Sequence, residues 1–176
     1  MRFLKSVLVG LVVLVALLVA VGLLMPSTFR VERSVVVNAS AAKLYPLLAD
    51  PKAWPRWVTW HRRDPGMTVT YSGAATGAGA SWVWDSASQG KGTMTLTAAI
   101  PNREVRYTIE IESRKLAARG TIRLAPDAGG TMVTWISEGD VGDNPILRIL
   151  APFLDRRIGA DFAEGLGNLK ALAEKN

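Results

Sequence analysis

The order of apolar and polar residues divides the chain into an unbroken apolar run, a region of two-residue alternation and a region of helical periodicity. The apolar run extends from Val7 to Met25 and contains no charged residue. About 20 helical residues cross the ~30 Å hydrocarbon core of a bilayer, so this run is long enough to span one. Pro26 follows, where a helix is expected to end. The pattern predicts one N-terminal transmembrane helix within residues 1–28.

A cleaved secretory signal is the alternative interpretation of this run. Such signals have an apolar part of about 7–15 residues that ends in a small-x-small cleavage site. The one passable site, Ala20-Val21-Gly22, lies inside the run and is followed by three more apolar residues. This position favours an uncleaved anchor over a cleaved signal.

The charges that flank the run indicate its orientation. Arg2, Lys5 and the N-terminal amine favour a short cytoplasmic end, although Arg30 and Arg33 follow the run on its other side. We therefore expect a single-pass membrane protein whose domain, residues 29–176, lies on the outer side, periplasmic or extracellular. Secretion after cleavage is the alternative localisation.

Two-residue alternation predicts antiparallel strands through most of the domain. A first strand is predicted over residues 29–38, and a short helix follows from Ser40, a residue type that commonly caps helices. Turn residues interrupt the alternation at several later points. The further predicted strands span residues 67–72, 79–86, 90–100, 103–112, 116–125 and 130–140. Strands that follow one another through short turns form a meander with one buried face.

One of these strands shows the alternation with particular clarity. In residues 93–100, Met94, Leu96, Ala98 and Ile100 are expected on one face of the sheet, and the intervening threonines on the other. A single sheet cannot bury such an apolar face without a second layer. The C-terminal region must supply that layer, which predicts an α+β fold.

The C-terminal region has the periodicity of an amphipathic helix. Asn144 followed by Pro145 is typical of a helix start, and Pro152 is expected to kink or split the helix. Apolar residues then recur every three or four positions, at Leu154, Ile158, Phe162, Leu166, Leu169 and Leu172. Three glycines interrupt this helix, at residues 159, 165 and 167, each at a cost of about 1 kcal/mol relative to alanine. Close approach to the sheet, or room for a bound molecule, would compensate that cost.

Composition excludes several classes of function. The chain has no cysteine, so disulfides and thiol chemistry are excluded, and with one histidine a zinc or iron site is not expected. The net charge is +6, and the domain without Arg2 and Lys5 has 19 Lys and Arg against 15 Asp and Glu. The basic residues are scattered, so no nucleic-acid partner is expected. We expect no metal or other cofactor.

Three tryptophans, at residues 54, 57 and 60, lie three positions apart in a segment of irregular helix. Exposed indoles in such a cluster would form a binding surface, and the protein would then be an interaction module. Buried indoles would instead plug the interior of the domain. The sequence favours the plug.

Three segments resemble the SRPBCC superfamily of START-like, polyketide cyclase/dehydrase-like proteins. They are FRVERSVVVNASAAKLYPLLADPKAWPRWVTW, TMVTWISEGD and FAEGLGNLKALAE, and the resemblance covers residues 29–174. It implies a helix-grip fold, in which a curved antiparallel sheet of about seven strands surrounds a long C-terminal helix and a hydrophobic cavity. Members of the superfamily bind lipids, sterols, polyketides and plant hormones, and some catalyse cyclisation or dehydration.

These features together predict a membrane-anchored binding protein for a hydrophobic small molecule or lipid. A cyclase/dehydratase-like enzyme and a protein-interaction module are the alternatives. The predicted ligand contacts are apolar and aromatic residues of the concave face, namely Trp82, Trp84, Met94, Leu96, Tyr107, Ile109, Val133, Trp135, Phe162 and Leu166. Tyr107 is of special interest because a buried phenol needs a hydrogen-bond partner, which a ligand could supply. The glycine- and alanine-rich segment SGAATGAGA is a candidate lid.

Few residues suggest catalysis, and no catalytic residue is assigned. His61 could act as a general base and could pair with Asp64, but an exposed loop residue is the simpler interpretation. Glu138, Asp140 and Asp143 form an acidic cluster that favours a turn before a helix over a cation site. An enzyme would need polar groups that converge in the cavity, such as Tyr107 with Glu138 or His61.

Overall fold

A computed structural model describes residues 2–112 and 116–175 of the protein. It contains one curved sheet of seven antiparallel strands, in the order β1-β7-β6-β5-β4-β3-β2. The strands are β1 (Thr28–Val37), β2 (Thr68–Gly73), β3 (Ala80–Ser86), β4 (Gly90–Ile100), β5 (Glu104–Ile111), β6 (Leu116–Asp127) and β7 (Gly130–Asp140). The helices are α1 (Arg2–Leu24), α2 (Ala41–Ala49), α3 (Trp60–Arg63) and α4 (Pro145–Ala173), and a 3-10 helix spans Pro51–Arg56. Met1 and Asn176, the outer limits of the two predicted segments, lie outside the described residues.

This architecture confirms the predicted α+β fold with a long C-terminal helix. Strands β2 to β7 pair in sequence order as a meander, and β1 pairs with β7 to complete the sheet. Each predicted strand agrees with an observed one to within two residues at either end. Helix α4 covers the apolar face, where it buries Phe162, Leu166 and Leu169.

Capping side chains start both α2 and the 3-10 helix that follows it. Ser40 accepts a hydrogen bond from the Lys43 amide at the N-terminus of α2. Asp50 follows the last turn of α2, and its side chain accepts a hydrogen bond from the Lys52 amide, so the 3-10 helix begins directly after α2. Two leucines one turn apart, Leu44 and Leu48, are fully buried and fix the helix to the domain.

The predicted alternation along β4 is wrong beyond Leu96. The pairing of β4 with β5 shifts register between Leu96 and Ala98, which is a β-bulge. The extra residue reverses the faces, so Ala99 rather than Ala98 packs against the core. Ile100, predicted on the buried face, is 42 % exposed.

Of the two effects predicted for Pro152, a kink or a split of the last helix, the split does not occur, because α4 continues from Pro145 through Pro152 to Ala173. Asn144 caps this helix, and its side-chain oxygen accepts hydrogen bonds from the first free amides. Pro152 lies on the exposed side, where water can bind the carbonyl that loses its helical partner.

The glycines of α4 allow close contact with the sheet and do not leave open room beneath the helix. The guanidinium of Arg33 lies against Gly159 and forms an ion pair with Asp155 at 2.9 Å. A Cβ atom at Gly165 would stand 3.1 Å from the indole of Trp135. Only the exposed Gly167 has free space around it among these three positions.

Substitution of the last two glycines should have opposite effects on stability. Gly165→Leu would push carbon atoms into Trp135, so we expect a loss of about 1–3 kcal/mol in the free energy of unfolding. Gly167→Ala meets no neighbour and should gain about 0.5–1 kcal/mol through its higher helix propensity. Urea unfolding followed by tryptophan fluorescence measures both. Equal stability of the two variants would contradict the close contact of α4 with Trp135.

Candidate ligand site

Aromatic rings occupy the space between the sheet and α4. The ring of Trp135 on β7 stacks on Phe162 of α4 with centroids 3.9 Å apart and planes within 5° of parallel. Trp57 and Trp54 approach Trp135 from the connecting segment, at 5.2 Å and 6.1 Å. Tyr107 on β5 meets Trp54 edge to face at 5.6 Å. These five residues, together with Trp82, are called the aromatic cluster below.

Four of these rings, Trp135, Tyr107, Trp54 and Trp57, form hydrogen bonds within the protein. The indole N–H of Trp135 donates to the hydroxyl of Tyr107 at 2.7 Å. The indoles of Trp54 and Trp57 donate to the carbonyls of Leu48 and Leu47 at the end of α2, at 2.9 and 3.0 Å. Burial raises the pKa of the Tyr107 phenol well above its ordinary value, which keeps it neutral. The partner that Tyr107 was expected to need is therefore Trp135.

All ten residues predicted to contact a ligand lie in or against one hydrophobic core. Eight are buried, namely Trp82, Met94, Leu96, Tyr107, Val133, Trp135, Phe162 and Leu166. Trp84 and Ile109 are partly buried and pack against the others. Their own side chains fill the volume that the superfamily resemblance led us to expect as a cavity. A molecule could enter this space only if some of the rings moved.

Glycines beneath two of the rings are part of the site, and the sequence analysis did not identify them. Gly120 on β6 pairs with Tyr107 on β5, and the phenol ring lies directly over it. Gly92 on β4 lies in the same way beneath Trp84 of β3. A side chain at either glycine would collide with the ring. An aromatic residue opposite a glycine on the next strand is the sequence signal that would have identified them.

The tryptophan segment is a plug, as the sequence favoured. Trp54 and Trp57 are each 1 % exposed, which removes them from any surface that a partner protein could touch. Trp60 is partly buried, with its ring 6.2 Å from that of Trp135. Asn168 of α4 donates to the carbonyl of Trp57 at 3.0 Å and holds the segment against the helix.

Helix α3 is tied to α4 by charge. Arg62 forms an ion pair with Glu164 at 2.6 Å, and Arg63 pairs with Asp161. His61 between these contacts is not the exposed loop residue that we expected. Both of its ring nitrogens are buried and have no hydrogen-bond partner within residues 2–112 and 116–175, and burial lowers its pKa. Asp64 turns away from it, toward the β3–β4 turn, and accepts from Ser86 at 2.5 Å.

The acidic cluster at the end of β7, formed by Glu138, Asp140 and Asp143, has separate partners for each carboxylate. Glu138 forms an ion pair with Arg30 on β1. Asp140 accepts hydrogen bonds from the Ser27 hydroxyl at 3.0 Å and from a turn amide at 2.7 Å. Asp143 pairs with Arg148 at 2.7 Å. None of these groups faces Tyr107, whose hydroxyl lies inside the aromatic cluster.

The glycine- and alanine-rich segment connects β2 to β3 and is held by its backbone. The Gly77 amide donates to the carbonyl of Ala49, and the Gly79 amide donates to that of Leu96, both at 2.8 Å. A surface recess of about 180 Å³ lies beside it, lined by Pro51, Lys52, Tyr71, Ser72, Gly73, Ala74, Ala75 and Ser81. None of the ten predicted contact residues lines this recess.

A second recess lies where α1, β1 and α4 meet. It has a volume of about 240 Å³ and is lined by Pro26, Thr28, Phe29, Arg30, Ala151, Pro152 and Asp155. Helix α1 itself, from Phe3 to Leu24, is long and apolar enough to cross a membrane, and the rest of the protein covers little of it. By length and composition it is a membrane span or a signal sequence.

Comparison with known proteins identifies the family. The model of the family described as polyketide cyclase / dehydrase and lipid transport matches residues 28–174. The chain belongs to this family. The match covers the whole sheet and all of α4, and it confirms the resemblance to the SRPBCC superfamily. No curated protein matches the chain significantly.

Solved structures of family-like proteins share the fold. A protein from Thermobifida fusca is 25 % identical, with a TM-score of 0.63 over 82 % of this chain and 92 % of that one. A protein from Chromobacterium violaceum is 22 % identical, with a TM-score of 0.59 over 86 % of this chain and 100 % of that one. The di-domain aromatase/cyclase StfQ of the steffimycin pathway is 15 % identical, with a TM-score of 0.64 over 84 % of this chain and 51 % of its own.

The hydrogen bond between Trp135 and Tyr107 should contribute measurably to stability. Tyr107→Phe leaves a buried indole N–H without a partner, so we expect a loss of about 1–3 kcal/mol in the free energy of unfolding. Tyr71→Phe removes an exposed hydroxyl and should change it by less than about 0.5 kcal/mol. Urea titration gives both values. A Tyr107→Phe variant as stable as the wild type would show that the indole does not depend on the phenol.

Asp64 should titrate below the ordinary range for aspartate. The Ser86 hydroxyl lowers its pKa most, aided by the Ser88 and Gly66 amides. Its contribution to stability is therefore present above about pH 4, the ordinary carboxyl pKa, and is lost as the pH falls through the lower folded value. In a carbon-detected NMR titration, Ser86→Ala should move the Asp64 pKa upward. The matched variant Ser72→Ala should not, and an unchanged pKa in Ser86→Ala would contradict this assignment.

Proposed function

We propose that the protein is anchored in a membrane by α1 and binds an apolar small molecule or a lipid between the sheet and α4. One observation carries this proposal: the ten apolar and aromatic residues of the concave face and α4 converge on one core, in which the Trp135 indole and the Tyr107 hydroxyl are already paired with each other. Recognition at such a surface depends on shape and apolar contact. Membership in the polyketide cyclase / dehydrase and lipid transport family supports the same ligand class.

Binding requires part of the aromatic cluster to move. Trp54 and Trp57 both donate to carbonyls at the end of α2, so these indoles and α2 form one unit. Within the described residues, the carbonyl of Trp57 accepts one side-chain hydrogen bond, that of the Asn168 amide. Leu44 and Leu48 of α2 also pack in the core and would have to move with the unit. We propose that the ligand takes the place of Trp57 when this unit shifts away from α4.

The anchor is supported by contacts between α1 and the domain. Gly22 packs against Pro145 at the start of α4, closely enough that a Cβ atom would collide with it. Arg148 of α4 donates to the carbonyl of Leu23 at 3.2 Å. A helix that stays attached can keep such contacts, whereas a cleaved signal cannot. We propose that the N-terminus is cytoplasmic and the domain lies on the outer side, following the charges of Arg2 and Lys5.

The experiment uses the full chain purified from membranes. Its intact mass tests whether the N-terminal segment is retained, and mass spectrometry of its organic extract tests for a bound apolar species against a mock purification. Dibrominated stearic acid serves as a probe, because bromine quenches tryptophan and all six tryptophans lie in the domain. We expect quenching together with a rise in the unfolding temperature.

Trp57→Ala sharpens this test, with Tyr71→Ala as the matched control outside the core. Loss of Trp57 should cost about 3–5 kcal/mol in the free energy of unfolding and leave a cavity. The brominated probe should bind this variant more tightly than the wild type and recover part of the lost stability. If the extract holds no apolar species and the probe neither quenches nor stabilises either form, ligand binding in the core is wrong.

A further inference from the structure

The first half of α4 carries a face of large apolar side chains that are exposed to solvent. Ile146, Leu150 and Phe153 are 65, 48 and 59 % exposed. They lie four and three residues apart and so share one side of the helix. Leu147, 39 % exposed, lies beside them. Outside α1, only Tyr71 and Ile100 are other large apolar side chains of comparable exposure among the described residues.

This face is distinct from the side of α4 that enters the core. Ala151, Phe162 and Leu166 are buried and line the opposite side of the helix. When a helix has two apolar sides, each side needs an apolar environment, and the domain covers only one side of α4. The second side needs an apolar environment that the domain does not supply.

Helix α1 fixes where that side lies. Its last turn packs on the first turn of α4, through Gly22 against Pro145 and through the hydrogen bond from Arg148 to Leu23. Three residues separate Leu24 from Thr28, the first residue of β1, a gap of about 15 Å at most. The start of α4 is therefore held at the end of α1, where that helix leaves the bilayer.

Two arginines next to the exposed apolar side chains also favour contact with a lipid surface. Arg156 and Arg157 follow the exposed apolar side chains, are themselves exposed, and form no ion pair within the described part of the chain. Arg157 lies one turn beyond Phe153, on the same side of the helix. Apolar residues that end in arginines are typical of helices that lie in a membrane interface and contact phosphate groups.

We propose that α4 enters the membrane interface obliquely with its first half, Pro145–Arg157, so that Ile146, Leu150 and Phe153 insert among the lipids beside α1 and the helix leaves the interface before Ala171. This inference rests on the anchoring role proposed for α1 and is independent of ligand binding in the core. The domain is then held at two places, by the span and by the side of α4, and has a fixed orientation on the bilayer.

Cysteine labelling of the full chain tests the proposal, because the protein has no native cysteine. Leu150→Cys and Phe153→Cys carry an environment-sensitive fluorophore in vesicles of phosphatidylcholine and phosphatidylglycerol. Ala171→Cys is the matched control, since it lies on the same side of α4, exposed, and about 27 Å further along the helix. Leu14→Cys, in the middle of α1, reports on the anchor.

We expect labels at residues 150 and 153 to be quenched several-fold more by nitroxide-labelled lipid than by aqueous iodide, and the label at 171 to show the reverse. Lipid quenching at residue 14 with iodide quenching at 150 and 153 would overturn the proposal and leave the anchor intact. Labels at 150 and 153 shielded from both quenchers would mean that protein, such as a second copy of the chain, covers this side, and would also overturn it. Iodide quenching at residue 14 would overturn the anchor and this proposal with it.

Discussion

The position of Trp135 between the sheet and α4 is the contact on which the rest of the domain depends. A single antiparallel sheet must cover one apolar face, and α4 is the helix that covers it. Trp135 joins the two layers by stacking on Phe162, and it can do so because residue 165 has no side chain. The hydrogen bond to Tyr107 holds the indole in that orientation. The tryptophans of the connecting segment then pack on its other edge.

The same packing limits how the protein can bind a ligand. A preformed cavity binds without rearrangement, whereas a core filled with rings must first release one of them. Separation of α4 from the sheet would expose Phe162, Leu166 and Leu169, which is costly because each is almost fully buried. Movement of the plug with α2 would likewise expose buried side chains, namely Trp54, Trp57, Leu44 and Leu48. The ion pairs of Arg62 and Arg63 that tie α3 to α4 are partly solvated, so they resist such movement weakly. Opening on either side therefore costs free energy that contacts with the ligand must offset.

Local patterns sufficed to predict the fold, because alternation, capping residues and turn residues act over a few positions. Ser40 and Asn144 cap the helices that they were expected to start. The bulge after Leu96 could not be predicted, since one inserted residue leaves no mark in the alternation until the pairing with β5 is known. The pairing of Tyr107 with Trp135 depends on the register across β5, β6 and β7, which no single segment encodes. The burial of the His61 ring likewise depends on how α3 packs in the folded domain. The charged residues next to His61 in the sequence instead favoured an exposed loop residue.

If α1 anchors the protein as proposed, its short link to β1 restricts the way in which the protein could handle a lipid. A soluble carrier leaves one membrane and reaches another, but a domain held within about 15 Å of its own span cannot. Phe162 and Gly165, where α4 meets the aromatic cluster, lie 9 to 12 residues beyond Phe153, which is about 14–18 Å along the helix. With the first half of α4 at the lipid surface as proposed, the core lies no further than this distance from the side chains that contact lipid. An apolar molecule would therefore be taken from the adjacent membrane, or passed to it, over a path shorter than the domain itself.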